Sequence, residues 1–481
     1  MSELLFETIE NVGSFIQKKE LSPVELTQLS LARIQQHNAE LTAFITVMEE
    51  EAINQAKQLE DELQSGKIRG PLHGIPIAVK DLLQTEGVRT TGGSKVFQGW
   101  IPDQDAASVQ KLKEAGAIII GKANLHEFAM GATTENPHYG ITRNPWNVKK
   151  IPGGSSGGSA VATAVGMAFG AVGTDTAGSI RLPAAMCGTA GIKPTYGLVS
   201  REGCLPFSWS LDHVGPMTRT IKDAAIMLDA MKGYDPNDPA SVKHDGSVVF
   251  EKSLPDLQGV KLGFYEPYMF AGITSSVKAV IEKAFCQLEA LGAEIVPINL
   301  PGIDRALDGL RMIAQAEVIS FHEPLLKKHE DDYGEDLKYR FQFGRDISAT
   351  AYINAQRTRN EFIRTTLQKM HGIDALVGPT NVQPPYDIGS MVKEQAISNM
   401  FTLGKTPLAN ILGFPALSVA CGFTEDRLPV GLQLIGKPFE DKRILEIADC
   451  YERSERWVQA LKENANNLYA NPEAKEKAAF R

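Results

Sequence analysis

The apolar positions change period several times along the chain, and each change marks an element. After Ser22-Pro23-Val24-Glu25 they recur at roughly helical spacing through Leu26, Leu29, Leu31 and Ile34. The four residues before them predict the helix start. Serine can accept from the first turn, proline suits the first helical position, and glutamate completes a capping box. Residues 52–63 predict a second helix that stops at Ser65-Gly66, so 1–66 read as helices. A continuous apolar run at 74–79, GIPIAV, then reads as a buried strand delivering Lys80 and Asp81 at its end. Residues 106–115 predict a helix, 117–120 (AIII) a strand and 124–130 a further helix.

The stretch 153–183 departs from this rhythm. Two small-residue loops, GGSSGGS at 153–159 and TDTAGS at 174–179, flank an apolar segment at 160–172. Glycine loses the most entropy on ordering, so two such loops point to backbone that must come close to a ligand. A helix is expected to start near 158–159, a strand to run over 169–173 and another helix over 182–186. Residues 200–245 read as loops. Beyond them come strands at 260–264 and 294–298, a helix at 276–291 and long helices at 307–326 and 349–370. Strands at 375–377, 417–420 and 431–435, a Pro384-Pro385 loop at 381–388, a helix at 443–460 and a polar tail after Leu461 complete the pattern. Strands alternating with helices predict an α/β fold with parallel strand pairs. No linker divides the chain, so 1–481 reads as one domain. Its parts are the helices of 1–66, a core at 67–220, a cap or insert at 220–380, and the rest of the core at 381–481.

Composition narrows the function. Of 481 residues 43% are apolar and 22% charged, with a net charge of −9, ordinary for a globular protein. No basic stripe of the kind nucleic-acid binders use is visible. Five widely spaced cysteines without a CxxC read as reduced thiols rather than disulfides or zinc ligands. The first fifteen residues carry Glu3, Glu7 and Glu10, unlike a signal peptide, and no run of about 18 apolar residues suggests a span. The expectation is a cytoplasmic protein without membrane, direct nucleic-acid contact, metal or cofactor.

Three motifs fail on context. Gly153-Gly154-Ser155-Ser156-Gly157 matches GxSxG, but a nucleophile elbow needs a strand before it, and 144–152 (NPWNVKKIP) is no buried strand. There is no GKS or GKT for a phosphate loop and no HExxH for zinc. The nine histidines sit at no spacing that pairs them with Ser155 or Ser179. A plain packing loop would account for either glycine-rich segment alone, but poorly for both together with a lysine ending a buried strand.

GIPIAVKD at 74–81, GGSSGGSA at 153–160, GTDTAGSIRLPA at 173–184, GTAGIKPTYG at 188–197 and PVGLQLIGKP at 429–438 resemble the amidase signature family over about 70–440. The resemblance implies a large central mixed β-sheet with helices on both faces. It also implies Ser179 as nucleophile, Ser155 on a cis peptide bond as proton carrier and Lys80 as base. The oxyanion donors would be the backbone N–H groups of Thr176, Ala177, Gly178 and Ser179, with Ser156, Asp175 and Arg181 supporting. Serine needs a base, and a lysine must be neutral to serve. Holding it so at pH 7 costs roughly 4–5 kcal/mol, within what burial supplies. Asp81 would oppose this if it faced the same way. Ala177 stands where the family usually has glycine.

The family includes stand-alone amidases and the glutaminase subunit of tRNA-dependent amidotransferases. Residues 121–147 resemble that subunit, but Leu403 stands where its aspartate is expected and the region of His322-Glu323-Pro324 lacks its arginine motif. A zwitterion would leave its charges unpaired there. The expectation is therefore a stand-alone amidase for a small or neutral carboxamide, urea- and carbamate-like amides included, as a candidate homodimer. The glutaminase subunit is the alternative. A catalytically silent partner-binding homologue is a third reading, disfavoured by the intact Lys80, Ser155 and Ser179. Candidate substrate contacts are Met130, Gly131 and Thr133, with a lid near Phe207 or Tyr339. His126 and His322 read as structural.

Overall fold

Ser22 caps its helix as the sequence predicts. Its Oγ accepts from the N–H groups of Val24 and Glu25, the Glu25 carboxylate takes the Ser22 N–H, and the helix Pro23–Leu41 follows. The computed structural model describes residues 2–391 and 400–454, with Gln459 and Glu463 beyond them. Thirteen strands are described. They are β1 (Phe44–Val47), β2 (Pro76–Lys80), β3 (Ile118–Ala123), β4 (Glu135–Asn136), β5 (Gly140–Ile141), β6 (Gly170–Thr174) and β7 (Ala190–Lys193), then β8 (Val214–Thr218), β9 (Lys261–Phe264), β10 (Glu294–Pro297), β11 (Ala375–Pro379), β12 (Ala416–Phe423) and β13 (Pro429–Gly436). β4 and β5 form a small hairpin, and the other eleven form one sheet ordered β1-β3-β2-β6-β8-β7-β12-β13-β11-β9-β10. It is mixed: β3, β2 and β6 run parallel, as do β11, β9 and β10, while the pairs between these groups are antiparallel.

Alternate residues of each strand feed opposite faces. Ile77, Val79, Leu417 and Val419 pack with the helices Ile9–Gln17, Ile221–Met231, Ser275–Ala290 and Asp441–Ser454. Ala78 and Ile118 pack on the other face with the helices Pro23–Leu41, Glu49–Gln64 and Gly157–Ala164. Further along that face, Leu376, Ala416 and Ile435 meet Ile303–His329 and Pro407–Leu412. The sheet is thus covered on both faces, as expected. β2 and β3 pair regularly from Pro76↔Ile118 to Ile77↔Ile119, then skip a residue to Ala78↔Gly121, leaving Ile120 as a bulge.

Several expectations need correction. Residues 124–130 form no α-helix but a 3₁₀ turn at Glu127–Ala129, with Phe128 and Ala129 in the left-handed region. Hydrogen bonds from His126 N to Ser155 O and from Phe128 N to Gly92 O override helical propensity there. Residues 1–66 include β1 as well as helices. The 200–245 stretch holds β8 and the helix Ile221–Met231. Gly215 and Pro216 disguised β8 as a loop, yet a Cβ at Gly215 would collide with the Ile192 carbonyl, so the glycine serves close strand packing. The 220–380 stretch supplies β9, β10 and β11 of the same sheet, and its long helices Ile303–His329 and Ala349–Lys369 pack on each other. The polar tail and the end of the helix expected at 443–460 lie outside the described residues. No helix among the described residues is long and apolar enough to cross a membrane.

The Gly157–Ala164 helix crosses the sheet closely enough that a Cβ at Gly158 would collide with the carbonyls of Ala43 and Asn124. Backbone cannot yield as a side chain can, so Gly158→Ala is expected to destabilise the fold by about 1–3 kcal/mol. An unchanged urea-unfolding midpoint would contradict this packing.

Candidate active site

Because β2 and β6 are parallel neighbours, with Val79 opposite Val172, their carboxyl ends bring Lys80 and Thr174 together. Lys80 Nζ lies 2.8 Å from Ser155 Oγ, 2.9 Å from Ser156 Oγ and 2.7 Å from Thr174 Oγ1, and the lysine is fully buried. Burial pushes its ammonium down to about 7, against a smaller upward pull from Cys204, Asp212 and Asp175. Asp81 does not oppose this. As the next residue along β2 it faces the other side, where it accepts from Thr91 N at 3.0 Å and pairs with Lys122 at 3.6 Å.

A neutral amine has two donors and one lone pair, so one of its three hydroxyl neighbours must donate to it. Ser156 is poorly placed for that, because its hydroxyl donates to Thr174 O at 3.2 Å and accepts from Thr174 N at 3.3 Å. Among the described residues the hydroxyls of Ser155 and Thr174 carry no such commitment. The Gly154-Ser155 peptide is cis, the only such bond among the described residues. The Gly131–Thr133 backbone presses on this loop: a Cβ at Gly154 would stand 2.7 Å from Thr133 N.

The second loop is held from within. Asp175 accepts from Arg181 Nη2 at 2.9 Å and Nε at 3.0 Å, from Asn410 Nδ2 at 2.8 Å and from Gly178 N at 2.8 Å. Burial pushes its carboxyl up, but the Arg181 charge and hydrogen bonds outweigh that and hold it well below the usual carboxylate range. Arg181 extends to Asn410 and to Gln433, both at 2.6 Å. Gly178 has φ +131°, and a Cβ there would collide with Thr406, whereas Ala177 lies outside the left-handed region and packs its methyl in an apolar cluster. Glycine is therefore required at 178 and not at 177.

Of the four N–H groups expected to be free, that of Gly178 is taken by Asp175. Among the described residues no hydrogen bond takes up those of Thr176, Ala177 and Ser179. Ser156 N donates to Ser179 O at 3.2 Å, tying the two loops together. From Ile151 to Thr195 every residue is buried except Ser179, which is half-buried. The one serine or threonine in this stretch that is not buried is the residue the sequence singled out.

The other expected residues lie behind this surface or away from it. Met130, Gly131 and Thr133 are buried, Met130 in the same apolar cluster as Ala177. Phe207 is 3% exposed and packed, while Tyr339 stacks edge-on with Phe343. His126 bonds to Asp336 at 3.1 Å and His322 to the Tyr333 hydroxyl at 2.9 Å. Sequence reading missed Thr174, Asp212, Asn410 and Gln433. Asp212 accepts from Thr176 Oγ1 at 2.5 Å and burial pushes its carboxyl up to about 6. Only Thr174, at the end of a predicted strand, carried a local signal.

The Amidase family model matches residues 25–445. The A subunit of the glutamyl-tRNA(Gln) amidotransferase of Geobacter metallireducens is 38% identical, across 95% of this chain and 98% of that protein. The crystal structure of the corresponding polypeptide from Thermotoga maritima superposes with a TM-score of 0.80 at 36% identity, covering 94% of this chain and 95% of that one. The peptide amidase of Stenotrophomonas maltophilia does so with a TM-score of 0.81 at 31% identity, covering 93% and 97%. Motifs, sheet and matches agree over nearly the whole length, and the chain belongs to the amidase signature family.

Proposed function

We propose that the chain cleaves amide C–N bonds with Ser179 as nucleophile, Ser155 as proton carrier and Lys80 as base. The observation that carries this is the buried contact of Lys80 Nζ with Ser155 Oγ at 2.8 Å, in a loop whose next residue, Ser156, donates its N–H to the carbonyl of the half-buried Ser179. Neutral Lys80 accepts the Ser155 proton as Ser155 takes that of Ser179. Ser179 Oγ then adds to the amide carbonyl, and the oxyanion rests on the N–H groups of Thr176, Ala177 and Ser179, donors aimed where charge develops. Gly178 instead fixes the loop through Asp175. The proton returns through Ser155 to the leaving nitrogen, the C–N bond breaks, and water hydrolyses the resulting ester.

For the substrate, the relatives named as glutamyl-tRNA(Gln) amidotransferase components support a reading different from the stand-alone amidase expected from sequence. We take as first reading a protein that releases ammonia from an amide donor such as glutamine within a complex with other subunits. A specific observation keeps the neutral-amide reading as second. Leu403 is buried with Ala132, Leu182 and Met186 in one apolar cluster, which offers the ammonium end of a zwitterion no counter-charge.

Ser179→Ala and Lys80→Met are each expected to lower amide turnover by about 10⁴-fold or more. Ser179→Ala should also abolish fluorophosphonate labelling, and a folded wild-type chain that resists labelling would favour a silent homologue. The lysine is active when deprotonated. kcat/KM should therefore be flat above about pH 7 and fall about tenfold per pH unit below it. A profile unchanged down to pH 5 removes Lys80 as base. Ammonia release from glutamine, stimulated by co-purified subunits, is expected on the first reading. Efficient turnover of neutral carboxamides by the isolated chain, with glutamine inert, selects the second.

A further inference from the structure

A cavity of about 470 Å³ opens beside the 403–407 segment, and none of Lys80, Ser155 and Ser179 lines it. Its walls are more apolar than polar, Leu310 and Phe401 among them, and among the described residues its charged lining is Lys405 and Arg311, with no acidic side chain. Lys405 is 8% exposed. Its ammonium donates to Ala271 O at 2.7 Å and stands 4.7 Å from the centre of the Tyr268 ring. Among the described residues no carboxylate pairs with it, and burial pushes it down to about 8. Among the described residues two of its three donors therefore have no protein acceptor, an arrangement that favours an anionic ligand. Arg311, with 42% of its side chain exposed, has among the described residues one ion-pair partner, the exposed Asp308 of its own helix.

We propose that this cavity binds a small organic carboxylate with an apolar body, the carboxylate held by Lys405 and Arg311. With the Arg311 charge already balanced by Asp308, the Lys405 ammonium leaves one positive charge for a single carboxylate, and the apolar wall residues favour a hydrocarbon body over an inorganic ion. The site adjoins the nucleophile loop through the backbone. Thr406 Oγ1 donates to Ala177 O at 2.6 Å, and Lys405 O accepts from Gln433 Nε2 at 3.2 Å. Gln433 in turn accepts from Arg181. The carboxylate could come from the acid end of an amide substrate or from a separate effector, and the recognition chemistry is the same.

The test is calorimetric titration of the full chain with benzoate, and with benzyl alcohol as the neutral counterpart. Benzoate is expected to bind, benzyl alcohol to bind at least about tenfold more weakly. Lys405→Met and Arg311→Gln should each weaken benzoate by about tenfold. Equal binding of the two probes, or benzoate affinity unchanged in both variants, overturns the proposal. Arg311 is exposed enough that its variant decides the matter if Lys405→Met fails to fold. Kinetics with wild type separate the sources. A rise in KM alone identifies the acid end of the substrate, and a change in kcat identifies an effector. Neither binding measurement depends on turnover, so failure here is distinct from failure of the proposed amide cleavage.

Discussion

The Lys80 amine sits where three hydroxyl oxygens reach it and, among the described residues, no carboxylate does, and the surrounding elements serve that arrangement. β2 carries it into the sheet, β6 brings Thr174 alongside, and the 153–159 loop supplies Ser155 and Ser156 from above. Charge is disfavoured there because the protein replaces water with dipoles that cannot reorient as freely. Lys122 gives an internal comparison. It is equally buried on the adjoining strand but has Asp81 within 3.6 Å, and burial takes it down only to about 8 rather than about 7. The two lysines differ chiefly in the company each keeps.

The second constraint is the Asp175–Arg181 pair. A buried ion pair is seldom a net source of stability, but once formed it demands that every remaining donor be satisfied. Here the leftover donors go to Asn410 and Gln433, and the leftover acceptors take the backbone N–H groups of Gly178 and Ile180. Side chains from the C-terminal strands and helices thereby fix a loop some 230 residues earlier (Asn410 to Arg181 spans 229). Among the described residues the N–H groups of Thr176, Ala177 and Ser179 take no partner.

Much of this was legible in the sequence, and the limits have physical causes. The capping box at Ser22, the strand ending in Lys80 and the glycine-rich loops are local signals, and each stands where it was read. β8 was missed because Gly215 and Pro216 look like turn residues until a neighbouring strand requires close approach. The 124–130 helix was overcalled because its residues favour helix, while two long-range backbone hydrogen bonds hold it otherwise. Asn410 and Gln433 carried no local signal, since their partners lie more than 200 residues away. The side on which Asp81 points could be stated only once strand pairing was known.

That pairing has a chemical consequence. Were β2 and β3 in simple register throughout, continuing from Ile77↔Ile119, Lys122 would stand directly opposite Lys80. Paired residues share a face, so two ammonium groups would crowd one dry pocket and Asp81 would lose its partner. The extra residue at Ile120 moves Lys122 opposite Val79 instead, and a shift of one residue turns its side chain through the sheet. A single inserted isoleucine thus sorts two lysines into different surroundings, one beside a carboxylate and the other among three hydroxyls.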